Sequence, residues 1–150
     1  MAHTFSNILI HALFSTKQRR PTLDPELRSE LFPYMGGIIA NLKGQPVLTN
    51  GPTDHVHMLF VQPAALAVAE LMEKVKGNSS KWVHQRWPRR AAFAWQTGYT
   101  AFSVSQPRVE AVRAYIREQE RHHRKRSFQE ELIVFLKQNG IEYDERFLLD

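Results

Sequence analysis

Cysteine is absent from all 150 residues. Disulfide frameworks, thiolate metal sites and cysteine nucleophiles are thereby excluded, so any metal would be held by histidine or oxygen ligands, in keeping with a reducing compartment. Long apolar runs are also missing: nothing approaches the ~18 residues that a spanning helix needs. The short N-terminal apolar stretch has no leading cluster of positive charge and is interrupted by His11, so neither a signal peptide nor a membrane anchor is expected. The expectation is a cytoplasmic chain with no membrane contact. Repeats, linkers and low-complexity segments are lacking too, and a hydrophobic content of 43% suffices to bury about two-thirds of the unfolded surface. We expect one domain over 1–150, with a core over 3–126 and a helical extension over 127–150.

Negative charge is the scarcer sign. Lys and Arg number 20 against 15 Asp and Glu, for a net charge of +5. A basic surface favours polyanions, of which nucleic acid is the commonest in a cytoplasm. The excess is uneven: residues 108–126 hold seven Arg or Lys against three Glu, whereas the final residues are acidic.

Hydrophobic period organises the rest. Residues 5–16 read as a strand running into a basic loop. Asp24 and Pro25 read as an N-cap and first helical residue, opening a helix with Leu27, Leu31, Met35 and Ile38 at helical spacing. Pro33, Gly36 and Gly37 predict a kink or break in it. Residues 45–49 and 54–62 are strands around a turn, and a helix follows from 64 through Val83. A second hairpin is expected from 92–95 and 99–105, then a helix over 107–126. Ser127 and Glu130 form a capping box that starts a last helix ending at Asn139 and Gly140. The order gives an α+β class: a ferredoxin-like split βαβ with an antiparallel sheet, helices on one face, a tyrosine-bearing helix and a further short helix.

Chemistry concentrates in two segments. In DHVHMLF (54–60) the period of a strand puts His55 and His57 on one face, Cα atoms roughly 7 Å apart, with Val56, Met58 and Phe60 on the core face. Two imidazoles at that spacing can close on one cation, but an isolated pair is more often two strand histidines hydrogen-bonded to neighbours. On the 107–126 helix, Tyr115 and Gln119 are four apart and share a face, with Val109, Val112 and Ile116 beside them. Tyr115 is placed at the edge of that stripe with its hydroxyl directed outward. Together the segments suit phosphodiester cleavage: a hydroxyl nucleophile, and a divalent metal held by two imidazoles and an amide oxygen. Mixed N/O ligation suits Mn²⁺ somewhat better than Mg²⁺.

These residues resemble the small single-tyrosine HUH transposases of 200/605-type insertion sequences, including tyrosine transposases associated with repetitive extragenic palindromes. The matching elements are STKQRRP (15–21), DHVH (54–57), KGNSS (76–80), and YIREQ (115–119) followed by His122 and His123. The resemblance implies His55, His57 and Gln119 as ligands of Mg²⁺ or Mn²⁺. It implies Tyr115 as the nucleophile that leaves a 5′-phosphotyrosine on single-stranded DNA, with hairpin structure in the substrate. It also implies a homodimer in which the tyrosine helix of one subunit completes the site of the other. Lys17, Arg19, Arg20, Lys81 and Arg121 are candidate DNA contacts. Ser79 and Ser80 are candidate phosphate donors, and Trp82, Trp87 and Trp95 stand between base stacking and the core. A non-catalytic single-strand binding module with an open sheet, and a relaxase or replication-initiator nickase, are the competing readings.

Overall fold

The computed structural model describes residues 3–148. Four strands, Leu9–Ser15 (β1), Gln45–Asn50 (β2), His55–Val61 (β3) and Thr100–Val104 (β4), form one antiparallel sheet in the order β2-β3-β1-β4. With Pro25–Asn41 (α1) between β1 and β2, and Val68–Arg86 (α2) between β3 and β4, this is the expected ferredoxin-like arrangement. Alternation along β1 and β3 sends Ile10, Ala12, Phe14, Val56, Met58 and Phe60 into a core with α1 and α2.

The sequence signals for the first half hold locally. The Asp24 carboxylate accepts from the Leu27 N–H at 3.0 Å. Between β2 and β3 the turn passes so close to the backbone of His55 and Val56 that a Cβ at Gly51 would collide with it, so glycine fixes where β3 begins. The break foreseen as one outcome in α1 is not formed: Pro25–Asn41 is one helix. Its buried stripe of Leu27, Leu31, Met35, Ile38 and Ile39 runs unbroken past Pro33, which lies on the exposed side, and this packing overrides the local cost of proline.

Two other expectations are corrected. No hairpin joins 92–95 to β4. Trp95 makes an isolated antiparallel bridge with Thr16, and Gln96 anchors to Ser15 through its backbone N–H (2.9 Å) and its side-chain oxygen (2.6 Å). The Lys76 ammonium, pushed down to about 8 by burial, donates to the carbonyls of Thr97 and Gly98, and the segment pairs with the end of β1 in line with β4 instead of folding back on it. The helix expected over 107–126 is interrupted at Glu118, giving Val109–Arg117 (α3) and Gln119–His123 (α4). Asn50 Nδ2 donates to the Ile116 carbonyl at 2.9 Å and the Arg117 carbonyl at 3.3 Å, satisfying groups that the break exposes.

The last helix, Phe128–Gln138 (α5), begins at the capping box of Ser127 and Glu130 and ends before Gly140 at φ +65. It decides the fate of the histidine face. Phe128, Leu132 and Leu136 of α5 cover Leu13 and Phe102, while Val109 and Ile116 of α3 cover Leu9 and Leu59. The sheet is thus covered on both faces, although helices were expected on one face, with the tyrosine-bearing and last helices only as additions. No helix among the described residues is long and apolar enough to cross a membrane.

Candidate active site

His55 and His57 project from β3 toward α5, both fully buried. What they meet is Glu131, an acid on the apolar side of α5 that the sequence reading did not single out. Glu131 Oε1 lies 2.9 Å from His57 Nε2, 3.2 Å from His55 Nε2 and 3.4 Å from His123 Nε2. Its other oxygen, Oε2, accepts the Tyr115 hydroxyl and faces Gln119 Nε2 at 3.4 Å. The Tyr115 hydroxyl therefore turns inward, not outward as its position at the edge of the stripe suggested. A signal for Glu131 was available: it is three residues after Phe128 and four before Phe135, on the face that α5 buries.

The imidazoles are oriented from behind. His55 Nδ1 donates to Asp54 Oδ1 at 2.7 Å, and His57 Nδ1 is 2.8 Å from His11 Nε2, with the two rings stacked at 5.1 Å. Both Nδ1 atoms are thus engaged, and both Nε2 atoms are left facing one point. His11 was noted in the sequence only as a break in an apolar run. It comes from the neighbouring strand β1, so no sequence spacing could pair it with His57.

Burial pulls all these imidazoles toward the neutral form. It prevails at His57 and at His11, which is pushed down to about 3. At His55 the hydrogen bonds to Asp54 and Glu131 outweigh burial and raise its pKa. Burial alone would raise Glu131 as well, but hydrogen bonds from His123, His55 and His57 hold its carboxyl far below the usual range. Tyr115 is pushed above the ordinary phenol range, first by burial and then by the charge of Glu131.

The residues fit a divalent cation. One ligand atom from each of His55, His57 and Glu131 lies within 4.8 Å of the others. Ligands about 2.1 Å from a cation and at right angles are about 3.0 Å apart, close to the two Glu131 separations above. Gln119 Oε1 is buried without a hydrogen-bond partner, which is costly unless something else satisfies it. Gln119 thus reaches the site as expected, but its nitrogen faces Glu131 while its oxygen is the orphan.

The other candidates divide. Lys17, Arg19 and Arg20 occupy a loop tied to the site by Thr16 N–H to Asp54 O and Lys17 N–H to Ala94 O, both 2.9 Å. Gln18 and Arg19 hold left-handed backbone, φ 57 and 53, strain of about 1–3 kcal/mol each that the tethers maintain. Arg121 pairs with Glu118 on the exposed side of α4. Lys81 is exposed on α2, whose packed side lies on the opposite face of the sheet. Ser79 is buried and accepts Trp95 Nε1 at 3.0 Å, which removes it from solvent. Trp87 and Trp95 are core residues, and Trp82 stacks on Tyr34 at 4.3 Å. His122 stacks on Tyr115 at 4.4 Å.

Among curated proteins none matches the sequence. A crystal structure of a protein assigned as a transposase from Deinococcus radiodurans R1 superposes with a TM-score of 0.65 at 19% identity, over 79% of this chain and 95% of that one. A REP-associated tyrosine transposase bound to a REP hairpin superposes with a TM-score of 0.54 at 8% identity, over 79% of this chain and 68% of that one. At these identities the likeness is one of fold. The family model described as Transposase IS200 like matches residues 4–119, and with its histidine pair and tyrosine inside that span the chain belongs to the IS200-like transposase family.

Proposed function

We propose that this transposase cleaves and rejoins single-stranded DNA through a 5′-phosphotyrosine on Tyr115, with a divalent metal, Mg²⁺ or Mn²⁺, held by His55, His57 and Glu131 and the Gln119 amide oxygen within reach. One observation carries the reading. The Tyr115 hydroxyl and two imidazole Nε2 atoms converge on opposite oxygens of one buried carboxylate within a single chain. When bound, a divalent cation supplies polarisation of a phosphate oxygen and compensates negative charge.

The chain's own residues do the remainder. Asp54 and His11 fix the imidazole tautomers, and Glu131 Oε2 orients the Tyr115 hydroxyl. Tyr115 oxygen forms the bond to phosphorus as the bond to the 3′ oxygen breaks; the tyrosine loses a proton and the departing oxygen gains one. The basic loop of Lys17, Arg19 and Arg20 supplies backbone contacts beside Asp54, and Lys81 and Arg121 extend the cationic surface. Such a reaction conserves the ester energy for rejoining. A hairpin substrate, a single domain and action in the cytoplasm complete the proposal.

The homodimer implied by the resemblance would require Tyr115 and Gln119 to leave Glu131 of their own chain; mass measurement in solution with and without DNA tests it. The reaction itself is tested by incubating the protein with random single-stranded DNA and Mn²⁺. A metal-dependent DNA adduct mapped to Tyr115 by mass spectrometry is expected, and binding without any adduct across hairpin-containing pools refutes it.

A further result is expected at His11. Ligation through His57 Nε2 leaves Nδ1–H to donate to His11 Nε2, so His11→Phe should weaken Mn²⁺ affinity by about 10–100-fold. Calorimetric titration of the protein without DNA measures it. Unchanged affinity would mean that His57 is oriented by packing alone.

A further inference from the structure

Two clefts beside Tyr115 share His11, Arg108, Val112, Phe135 and Gln138 and therefore form one groove between α3 and α5. At one end are Tyr115 and Arg126; at the other are Ser103 and Ser105 at the end of β4, and Asn139. Because β4 is an edge strand, its outer backbone groups have no ladder partner along this path among the described residues. Among the described residues no carboxylate lines either cleft.

The two arginines are exposed, and neither joins an ion pair among the described residues. The charge of Arg126 is felt at the Tyr115 hydroxyl, where it opposes the effect of Glu131. Phe135, half-buried, stacks on Phe102 at 5.7 Å and meets Tyr115 edge-on at 5.4 Å. An acid-free groove with unpaired guanidinium groups and an aromatic floor, opening on a nucleophile, has the makings of a single-strand track.

We propose that this groove holds the unpaired DNA strand flanking the scissile phosphate, with backbone phosphates on Arg108 and Arg126 and a base against Phe135. The inference rests on the transposase reading above and adds a binding surface on the α3 and α5 side of the sheet, separate from the basic loop of Lys17, Arg19 and Arg20. Unpaired DNA is favoured over duplex because a floor of aromatic side chains between two helices offers stacking, which bases inside a helix cannot take.

The test measures binding without metal, so that cleavage does not enter. Fluorescence anisotropy of the full chain with a random single-stranded oligonucleotide pool is followed across a salt series, for wild type and for R108E/R126E. Loss of two phosphate contacts should lower affinity at least ~10-fold and reduce the salt slope by about 1.4. The reversal K74E/R89E, on the α2 side, measures the general effect of charge and should change both quantities less. A photoreactive residue at 138 should crosslink single strands and not a blunt duplex. Wild-type affinity and slope in R108E/R126E, losses equal to those of K74E/R89E, or equal crosslinking of duplex would each overturn the proposal. If wild type binds in the groove yet forms no Tyr115 adduct with metal, the track stands and the cleavage reading falls; an adduct with unchanged R108E/R126E binding gives the reverse.

Discussion

Tyr115→Phe is expected to abolish covalent strand cleavage, by on the order of 10⁴-fold or to below detection, while single-strand binding and Mn²⁺ affinity stay within a few fold. The ring remains to stack on His122, and no ligand is removed. The change does take a donor from Glu131 Oε2, whose remaining contact is Gln119 Nε2 at 3.4 Å. Leaving a buried carboxylate oxygen less satisfied costs about 1–3 kcal/mol, so the melting temperature should fall without loss of the fold. Denaturing gels for the adduct, beside thermal melts, separate the two effects. A folded Tyr115→Phe protein that still forms the adduct would remove Tyr115 from the chemistry.

Glu131→Ala should have the second large effect, and on two quantities at once. Among the described residues the carboxylate is the one acid that faces His55, His57 and His123 together. Breaking a buried charge pair by deleting one partner costs about 3–5 kcal/mol, so the metal-free variant should melt well below wild type. It should also lose its response to metal. At a free Mn²⁺ concentration 100 times the dissociation constant, wild type gains about 2.7 kcal/mol, and the variant should gain almost nothing. The acid dependence has a definite sign. Glu131 titrates far lower in the folded state than unfolded, so its stabilising contribution is present above the unfolded carboxyl pKa and is lost as pH falls through the folded one. A metal-induced rise in melting temperature that survives in Glu131→Ala would show that the carboxylate is not a ligand.

The role of α5 in both predictions marks the limit of what residue spacing conveys. The capping box located its start; that Phe128, Leu132 and Leu136 form the side it buries is seen only in the structure. Nothing local said that this side would close over the histidine face, because which surface a helix covers depends on what the chain has left open elsewhere. For the same reason the sequence reading proposed Gln119 as the third ligand, four residues from Tyr115, and passed over Glu131, 74 residues from His57. The second hairpin failed on similar grounds: the Trp95 segment satisfies its backbone against β1, a partner about 80 residues away.

What the sequence determined by itself was everything with a short period or a short reach. Strand alternation set His55 and His57 on one side and Val56, Met58 and Phe60 on the other; capping residues set the starts of α1 and α5; the β-α-β-β-α-β order set the sheet. Only tertiary structure decided the environment of those histidines. Packing of α3 and α5 buried them, cross-strand register brought His11 to His57, and a single carboxylate on the last helix joined the candidate nucleophile to the candidate ligands. These are contacts between segments far apart in the chain, and they exist only once the hydrophobic face of the sheet has found its cover.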